Sequence, residues 1–162
     1  MKTKAVLIFF LFCLLYGSTQ AQSKKEIREN KISSETVYNT KSSDGKEVKD
    51  SYTVYDKNGN VIEKVEYNKE GAIKKTEKTT YNAKKDKIEE LEFDGAGKLK
   101  SRVVSVYNLM GEKIGEIEYD GAGNIIKQSL TTYNAKGFKV EKKTFDGNKK
   151  LISTKKYVYV KR

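Results

Sequence analysis

Tyr55-Asp56-Lys57-Asn58-Gly59-Asn60 is the stretch on which the reading of the chain turns, because recognisable copies of it return on a fixed beat. An aromatic followed by Asp or Asn stands at Tyr55, Tyr67, Tyr81, Phe93, Tyr107, Tyr119, Tyr133 and Phe145. The intervals alternate between 12 and 14 residues, so the unit is a 26-residue pair, and a fixed period of that length marks a repeat architecture. Glycine follows four residues after the aromatic at Gly59, Gly71, Gly97, Gly111, Gly123 and Gly137, while Lys85 and Lys149 replace it beside Asp86 and Asn148. Asp or Asn closes a turn with its own side chain and Gly accepts positive φ, so each copy reads as a hairpin turn.

Between the turns lie short runs rich in Thr, Val, Ile, Tyr, Lys and Glu, such as Thr76 to Thr80 and Val103 to Val106. Such residues suit a pleated surface, and no 3.6-residue apolar period competes. Lys74 to Thr80 contains no large apolar residue, which a strand buried on both faces could not tolerate. The expected fold is therefore all-β: an antiparallel meander of about ten strands built from 26-residue two-strand repeats, forming an open twisted or single-layer sheet. The regular repeats are 55–80, 81–106, 107–132 and 133–158. Turns after the first member of each pair (Tyr55, Tyr81, Tyr107, Tyr133), called odd here, would line one end of the sheet, and the even turns the other. An aliphatic follows at the seventh position in odd copies (Ile62, Ile88, Ile114, Val140) and at the sixth in even ones (Ile73, Leu99, Ile125, Leu151). A longer turn or a β-bulge would absorb that offset, and a bulge at every odd turn would bend the sheet. Burial is expected to be thin at the start and richer from Arg102 onward.

Working outward, Lys2 and Lys4 precede an apolar run from Ala5 to Tyr16, followed by Gly17-Ser18-Thr19-Gln20-Ala21. This reads as a signal peptide over 1–21, since spanning a bilayer takes roughly 20 apolar residues. Cys13, the one cysteine, follows Phe12 rather than the small residue expected before a lipidated cysteine. Residues 22–31 read as a flexible or weakly helical lead-in, and 32–162 as the β-repeat domain, with Tyr38-Asn39 a degenerate first copy. At the other end Tyr157-Val158-Tyr159-Val160 reads as a last strand whose free edge invites pairing with another chain, with Lys161 and Arg162 as gatekeepers.

The net charge of +11 falls to +9 when the leader's two lysines are removed, which favours anionic partners such as acidic glycans, lipid headgroups or nucleic acid. Export makes nucleic acid the least expected of these. His, Trp and Pro are absent and the cysteine lies in the leader, so His-dependent triads, thiol nucleophiles, disulfides and ordinary zinc sites are excluded from the mature chain. Glu89, Glu90 and Glu92 form the densest acidic group, but they alternate with Ile88, Leu91 and Phe93 as a solvated strand face does. Asp56 to Asn60 fails as a calcium loop because its glycine comes one position early and no bidentate Glu closes it. No cofactor, metal or catalytic residue is expected.

The units Tyr55 to Ile62 and Tyr119 to Ile126 resemble the tyrosine-aspartate (YD) repeats of the Rhs and teneurin families, over Tyr52 to Tyr159. Long YD arrays coil into a shell that can enclose a toxin, and related modules serve cell-surface contact. This chain has fewer copies than a shell needs and lacks the arginine often found after the turn glycine. The resemblance implies β-repeat architecture and an envelope or extracellular setting. Its Lys/Glu/Thr-rich strands are also similar in composition to the single-layer sheet of borrelial outer-surface proteins. The aromatics pack across strands, or Tyr55, Tyr81, Tyr107 and Tyr133 form a stacking ladder for sugar rings beside Lys74, Lys100 and Arg102. The expected role is an exported, non-enzymatic binding or structural module at the bacterial envelope, with an anionic glycan or an envelope protein as partner. The alternatives are a secreted glycan-cleaving enzyme using paired carboxylates and a general polyanion binder.

Overall fold

The structure, a computed structural model, describes residues 23–40 and 45–160. The expected signal peptide, most of the Ser42 to Gly45 turn and the terminal Lys161-Arg162 lie outside these residues. A short helix α1 (Lys24–Glu29) leads into ten strands: β1 (Ser34–Thr40), β2 (Glu47–Tyr55), β3 (Val61–Tyr67), β4 (Ile73–Tyr81), β5 (Lys87–Asp94), β6 (Leu99–Tyr107), β7 (Lys113–Asp120), β8 (Ile125–Tyr133), β9 (Lys139–Asp146) and β10 (Leu151–Lys156). They form one antiparallel sheet in sequence order, an open meander with β1 and β10 as its edges. The all-β repeat fold expected from the 26-residue beat is the fold observed.

All eight repeat turns share one geometry. In the first, Gly59 donates its N–H to the Asp56 carbonyl and Asp56 donates to the Asn60 carbonyl, both at 2.9 Å. This is a type I turn closed by a residue at positive φ, a standard three-residue hairpin loop. Lys85 (φ 69°) and Lys149 (φ 64°), where glycine is missing, take the same left-handed conformation. The Asp or Asn after each aromatic holds the turn: Oδ1 of Asp120 accepts from the N–H groups of Ala122 and Asn124, and its Oδ2 from Asn124 Nδ2, all at 2.9 Å.

A bulge accompanies every turn, and not only the odd ones. Tyr55 pairs with Val61 and Val54 with Glu63, leaving Ile62 unpaired; Tyr67 pairs with Ile73 and Glu66 with Lys75, leaving Lys74 unpaired. The alternation of 12 and 14 therefore does not reside in the turns. It resides in the strands: from loop end to aromatic, 61–67 has seven residues and 73–81 has nine.

The pairing register separates two faces. One carries rungs such as Tyr52, Val65, Thr76 and Phe93, and Glu89, Val104, Ile117, Gln128 and Phe145. The other carries Glu66, Lys75 and Asp94, and Ser105, Glu116, Ser129 and Thr144. Substantial strand contacts run only between consecutive strands, so no second layer covers either face among the described residues. Only Ile27 (2% exposed) and Val65 (8%) are buried hydrophobics there. Burial does not increase steadily from Arg102 onward: the edge strands β1 and β10 are exposed throughout, and the best-covered strands, β2, β3, β5 and β7, have a neighbour on each side. Half-buried cross-strand pairs, each worth roughly 0.2–1 kcal/mol, hold such a sheet together in place of a core.

The lead-in takes the helical of its two expected forms, and one other segment differs from its sequence reading. The polar lead-in forms a helix because Ser23 and Glu26 make a capping box: Glu26 N–H donates to Ser23 Oγ and Ser23 N–H to Glu26 Oε2. At the C-terminal end Ile32 N–H reaches the Ile27 carbonyl and Lys31 N–H the Arg28 carbonyl, with Lys31 at φ 52°, a Schellman closure with lysine in the usual glycine position. Tyr157 to Val160 is not a strand. β10 ends at Lys156, Tyr157 N–H donates to the Val140 carbonyl, and Tyr159 leaves the edge to stack on Phe138 at 5.1 Å.

Candidate functional site

The odd tyrosines form one ladder on the polar face, and their hydroxyls are committed to the fold. Tyr81 donates to the Val61 carbonyl (3.1 Å), Tyr107 to that of Lys87 (2.9 Å) and Tyr133 to that of Lys113 (3.0 Å). Each acceptor opens the strand after the preceding odd turn, so each hydroxyl ties one repeat to the one before. Tyr55 has no regular repeat before it and donates instead to Glu35 Oε2 on β1 (2.7 Å). Burial, then the hydrogen bond to and charge of Glu35, push the Tyr55 phenol up to about 12. Burial likewise raises Tyr81 and Tyr133.

The even aromatics lie on the apolar face beneath cations. Lys49 Nζ stands 4.6 Å from the Tyr67 ring centre, Lys78 Nζ 6.0 Å from Phe93 and the Arg102 guanidinium 5.5 Å from Tyr119. Arg102 also donates to Glu89 Oε1 at 2.7 Å. The seven residues singled out by sequence therefore do not converge. Lys74 and Lys100 are the unpaired bulge residues after even turns, Arg102 is engaged on the apolar face, and the four tyrosines stand at the odd end. Lys74 and Tyr81 occupy opposite ends of β4, about 20 Å apart at a strand's rise per residue.

The acidic group is also divided. Glu89 shares a face with Arg102, while Glu90 and Glu92 face the other way, Glu90 paired with Lys87 and Glu92 with Lys75 at 3.7 Å. Among the described residues no group of His, Cys, Asp and Glu could hold a metal ion.

Two of the candidates border clefts: Tyr107 a recess of about 300 Å³ between the Asn82 and Asn108 turns, and Tyr55 a larger one under α1. α1 lies across the first odd turn so closely that a Cβ added at Gly59 would sit 2.5 Å from the Lys24 carbonyl oxygen. Between helix and turn opens a cleft of about 460 Å³, within the roughly 300–1,000 Å³ typical of small-ligand sites, lined by Ile27, Arg28, Lys31, Ile32, Ser33, Tyr55, Asp56 and Lys57. Three of its eight residues are cationic. Its one carboxylate, Asp56, is occupied by the N–H groups of Asn58 (2.8 Å) and Asn60 (2.9 Å) and by Asn60 Nδ2 (2.8 Å). Partial burial acts upward on Asp56, but these hydrogen bonds outweigh it and hold the carboxyl below the usual range, so it stays ionised and turned to its own loop. What remains to face the cleft is a largely apolar wall of Ile27, Ile32 and Tyr55, with Ser33 and the cations Arg28, Lys31 and Lys57 among its lining residues. Sequence reasoning missed Arg28 and Lys31 because a weakly helical lead-in does not reveal which turn it packs on, although Ser23-x-x-Glu26 is a capping-box signature.

No protein-family model matches the chain, and no curated protein matches it in sequence. Among solved structures it is similar to a porin-like protein from Bacteroides uniformis, at 16% identity and a TM-score of 0.40, covering 75% of this chain and 49% of that one. A protein of unknown function from Bacteroides fragilis matches at 12% identity and a TM-score of 0.42, covering 80% and 96%. S. aureus TarM, solved as a mutant with fondaparinux, alpha-GlcNAc-glycerol and UDP, matches at 18% identity and a TM-score of 0.31, covering 78% and 22%. The chain thus spans about half of the porin-like protein and about a fifth of TarM. Likeness at this level carries no functional information. Among the described residues no helix is long and apolar enough to cross a membrane.

Proposed function

We propose that this chain is an exported, non-enzymatic binding module of the bacterial envelope that takes an anionic glycan. The observation that carries the reading is the cleft under α1, whose lining brings together Tyr55 and the cations Arg28, Lys31 and Lys57. A sugar ring stacks on an aromatic face, and an attached carboxylate or sulfate meets the cations. The leader from Lys2 to Ala21 and the resemblance to YD repeats support the export and the envelope setting.

The test is an NMR titration of the exported, purified protein with glucuronate, with glucose as the uncharged partner. Glucuronate is expected to shift the amides of residues 27–33 and 55–57, and glucose to leave them unmoved. Arg28→Ala combined with Lys57→Ala should weaken the response at least about tenfold, since each charge-assisted hydrogen bond is worth roughly 1.5–3 kcal/mol. Shifts spread evenly over the lysine-rich strands would instead favour a general polyanion binder, and new reducing ends from an acidic polysaccharide would point to a glycan-cleaving enzyme. Export is read separately: the secreted protein should begin at Gln22.

A further inference from the structure

The odd rim carries side chains that its turn geometry does not require. Two residues occupy each tip between the Asp or Asn and the positive-φ position. On the even rim these are Lys69-Glu70, Gly95-Ala96, Gly121-Ala122 and Gly147-Asn148. On the odd rim they are Lys57-Asn58, Ala83-Lys84, Leu109-Met110 and Ala135-Lys136. Leu109 is 98% exposed and Met110 86%. Asn108 closes that turn by accepting from the N–H groups of Met110 (3.1 Å) and Glu112 (2.9 Å), and its Nδ2 donates to Glu112 Oε2 (2.6 Å), so the fold makes no use of the two large side chains.

The next odd turn departs in the same direction. Phe138 stands where Asn60, Asp86 and Glu112 stand in the other odd copies, and half its surface is open. The chain end then returns to this rim: Tyr159 stacks on Phe138 and leaves Val158 and Val160 bare. Consecutive odd turns are two strand spacings apart, roughly 10 Å. They also touch, since Glu112 Oε1 lies 3.2 Å from where a Gly137 Cβ would be. Leu109, Met110, Phe138, Val158 and Val160 therefore lie along one stretch of the rim, with Glu112 between the two turns. Lysines flank the stretch: Lys84, whose Nζ donates to the Leu109 carbonyl at 3.3 Å, with Lys136 and Lys139 on the neighbouring turn. The acids among them, Asp86 and Glu112, each accept from the Asn that closes their turn, Asn82 and Asn108.

We infer that this stretch of the rim is a peripheral docking surface for an anionic phospholipid bilayer. Leu109 edges a recess of about 300 Å³ shared with the Asn82 to Asp86 turn, but it is itself almost wholly exposed, as are Met110, Val158 and Val160, and side chains this open suit insertion into a fluid interface better than seating against a rigid partner. Lysines beside apolar and aromatic side chains match the headgroup and acyl layers of such an interface. The rim's other end is covered by α1, so docking here leaves the cleft free.

The test is sedimentation of the exported protein with vesicles of phosphatidylglycerol mixed with phosphatidylcholine, and with phosphatidylcholine alone, at low and high salt. Binding is expected to the anionic vesicles and to weaken with salt. Leu109→Ser combined with Met110→Ser should lower it at least about tenfold, from the apolar burial lost. Lys69→Ser with Glu70→Ser, the same change on the even rim, should leave it unaltered; circular dichroism checks that both variants keep the sheet. The chain lacks tryptophan, so Leu109→Trp supplies a clean probe whose emission should move to the blue on the anionic vesicles. No binding to either vesicle, or binding that the Leu109/Met110 variant retains in full, would overturn the inference.

Discussion

The two rims of the sheet are built from the same hairpin turn and solve the same problem in different ways. Each repeat must be fixed to the one before it, and at both rims the contact point is the carbonyl of the residue that opens the preceding strand. At the odd rim a tyrosine hydroxyl donates to it. At the even rim the backbone closes in directly: Cβ atoms added at Gly95, Gly121 and Gly147 would lie 2.2, 2.1 and 2.1 Å from the carbonyl oxygens of Ile73, Leu99 and Ile125. The difference explains two sequence habits that the turn alone does not. Odd aromatics are always tyrosine, while even ones are Tyr67, Phe93, Tyr119 and Phe145, where no hydroxyl is needed. The residue after the turn Asp or Asn is glycine in the later even turns but Lys57, Ala83, Leu109 or Ala135 in the odd ones. Lys69 is the exception, and it belongs to the first even turn, before which the sequence holds no regular repeat.

The largest expected effect tests that close approach. Gly121→Ala forces backbone apart and should cost about 3 kcal/mol, at the upper end for overpacking, in urea unfolding. Ala135→Gly, its odd-rim counterpart, should cost no more than about 1 kcal/mol, the loss of chain stiffness. Equal costs would break the distinction between the rims.

A second contrast isolates α1. Gly59 (φ 75°) and Gly123 (φ 89°) occupy the same place in equivalent turns, and an L side chain in that conformation costs roughly 1–2 kcal/mol at either. Gly123 has open space around its missing Cβ, whereas at Gly59 the helix backbone is in the way. Gly59→Ala should therefore cost about 1–3 kcal/mol more than Gly123→Ala. Hydrogen exchange over residues 24–32 should rise in the first variant alone.

These pairs also show what could be read from the residues beforehand. The Asp/Asn-x-x-Gly signal is local, since side chain and backbone of five adjacent residues satisfy one another, and it located every turn and the strand count. The unlike rims are not local. That Tyr107 needs a hydroxyl depends on Lys87, twenty positions back, and that Gly121 must lack a Cβ depends on Leu99. The 12/14 alternation announced an asymmetry, yet it was assigned to turns or bulges when its source is strand length. A weakly helical lead-in was legible, but the packing of α1 on the first odd turn was not, because one buried residue, Ile27, makes no periodic pattern. Tyr157 to Val160 alternates like a strand, but Tyr159 finds Phe138, a partner that alternation does not reveal.

Smaller effects sharpen the ladders. Tyr107→Phe removes one hydrogen bond and should cost about 1 kcal/mol, whereas Tyr119→Phe, with Arg102 still over the ring, should cost little. At Lys85 and Lys149 the positive-φ lysines are strained in the folded state, so substitution by glycine should stabilise by up to about 1 kcal/mol at each. A loss at Lys85 but not at Lys149 would mean that the aliphatic stem of Lys85 packs usefully on the odd rim.

The smallest effect concerns how acid reaches the even rim. The Asn124 side chain and backbone, with the N–H groups of Ala122 and Gly123, hold the Asp120 carboxyl below its ordinary 3.8, slight burial opposing them. A carboxyl whose folded value is depressed stabilises the fold above the unfolded value and loses that contribution as pH falls through the folded one. The window thus opens just under pH 4 and extends downward, and the urea midpoint should drop there. Most odd turns place Asn at this position, where Asn82, Asn108 and Asn134 accept the same backbone bonds without a charge to titrate. Asp120→Asn should therefore shrink the drop between pH 5 and pH 3 while leaving the midpoint at pH 7 slightly lower, since a charged acceptor is exchanged for a neutral one. An unchanged acid profile would mean that the hydrogen bonds to the Asp120 carboxylate do not carry the response.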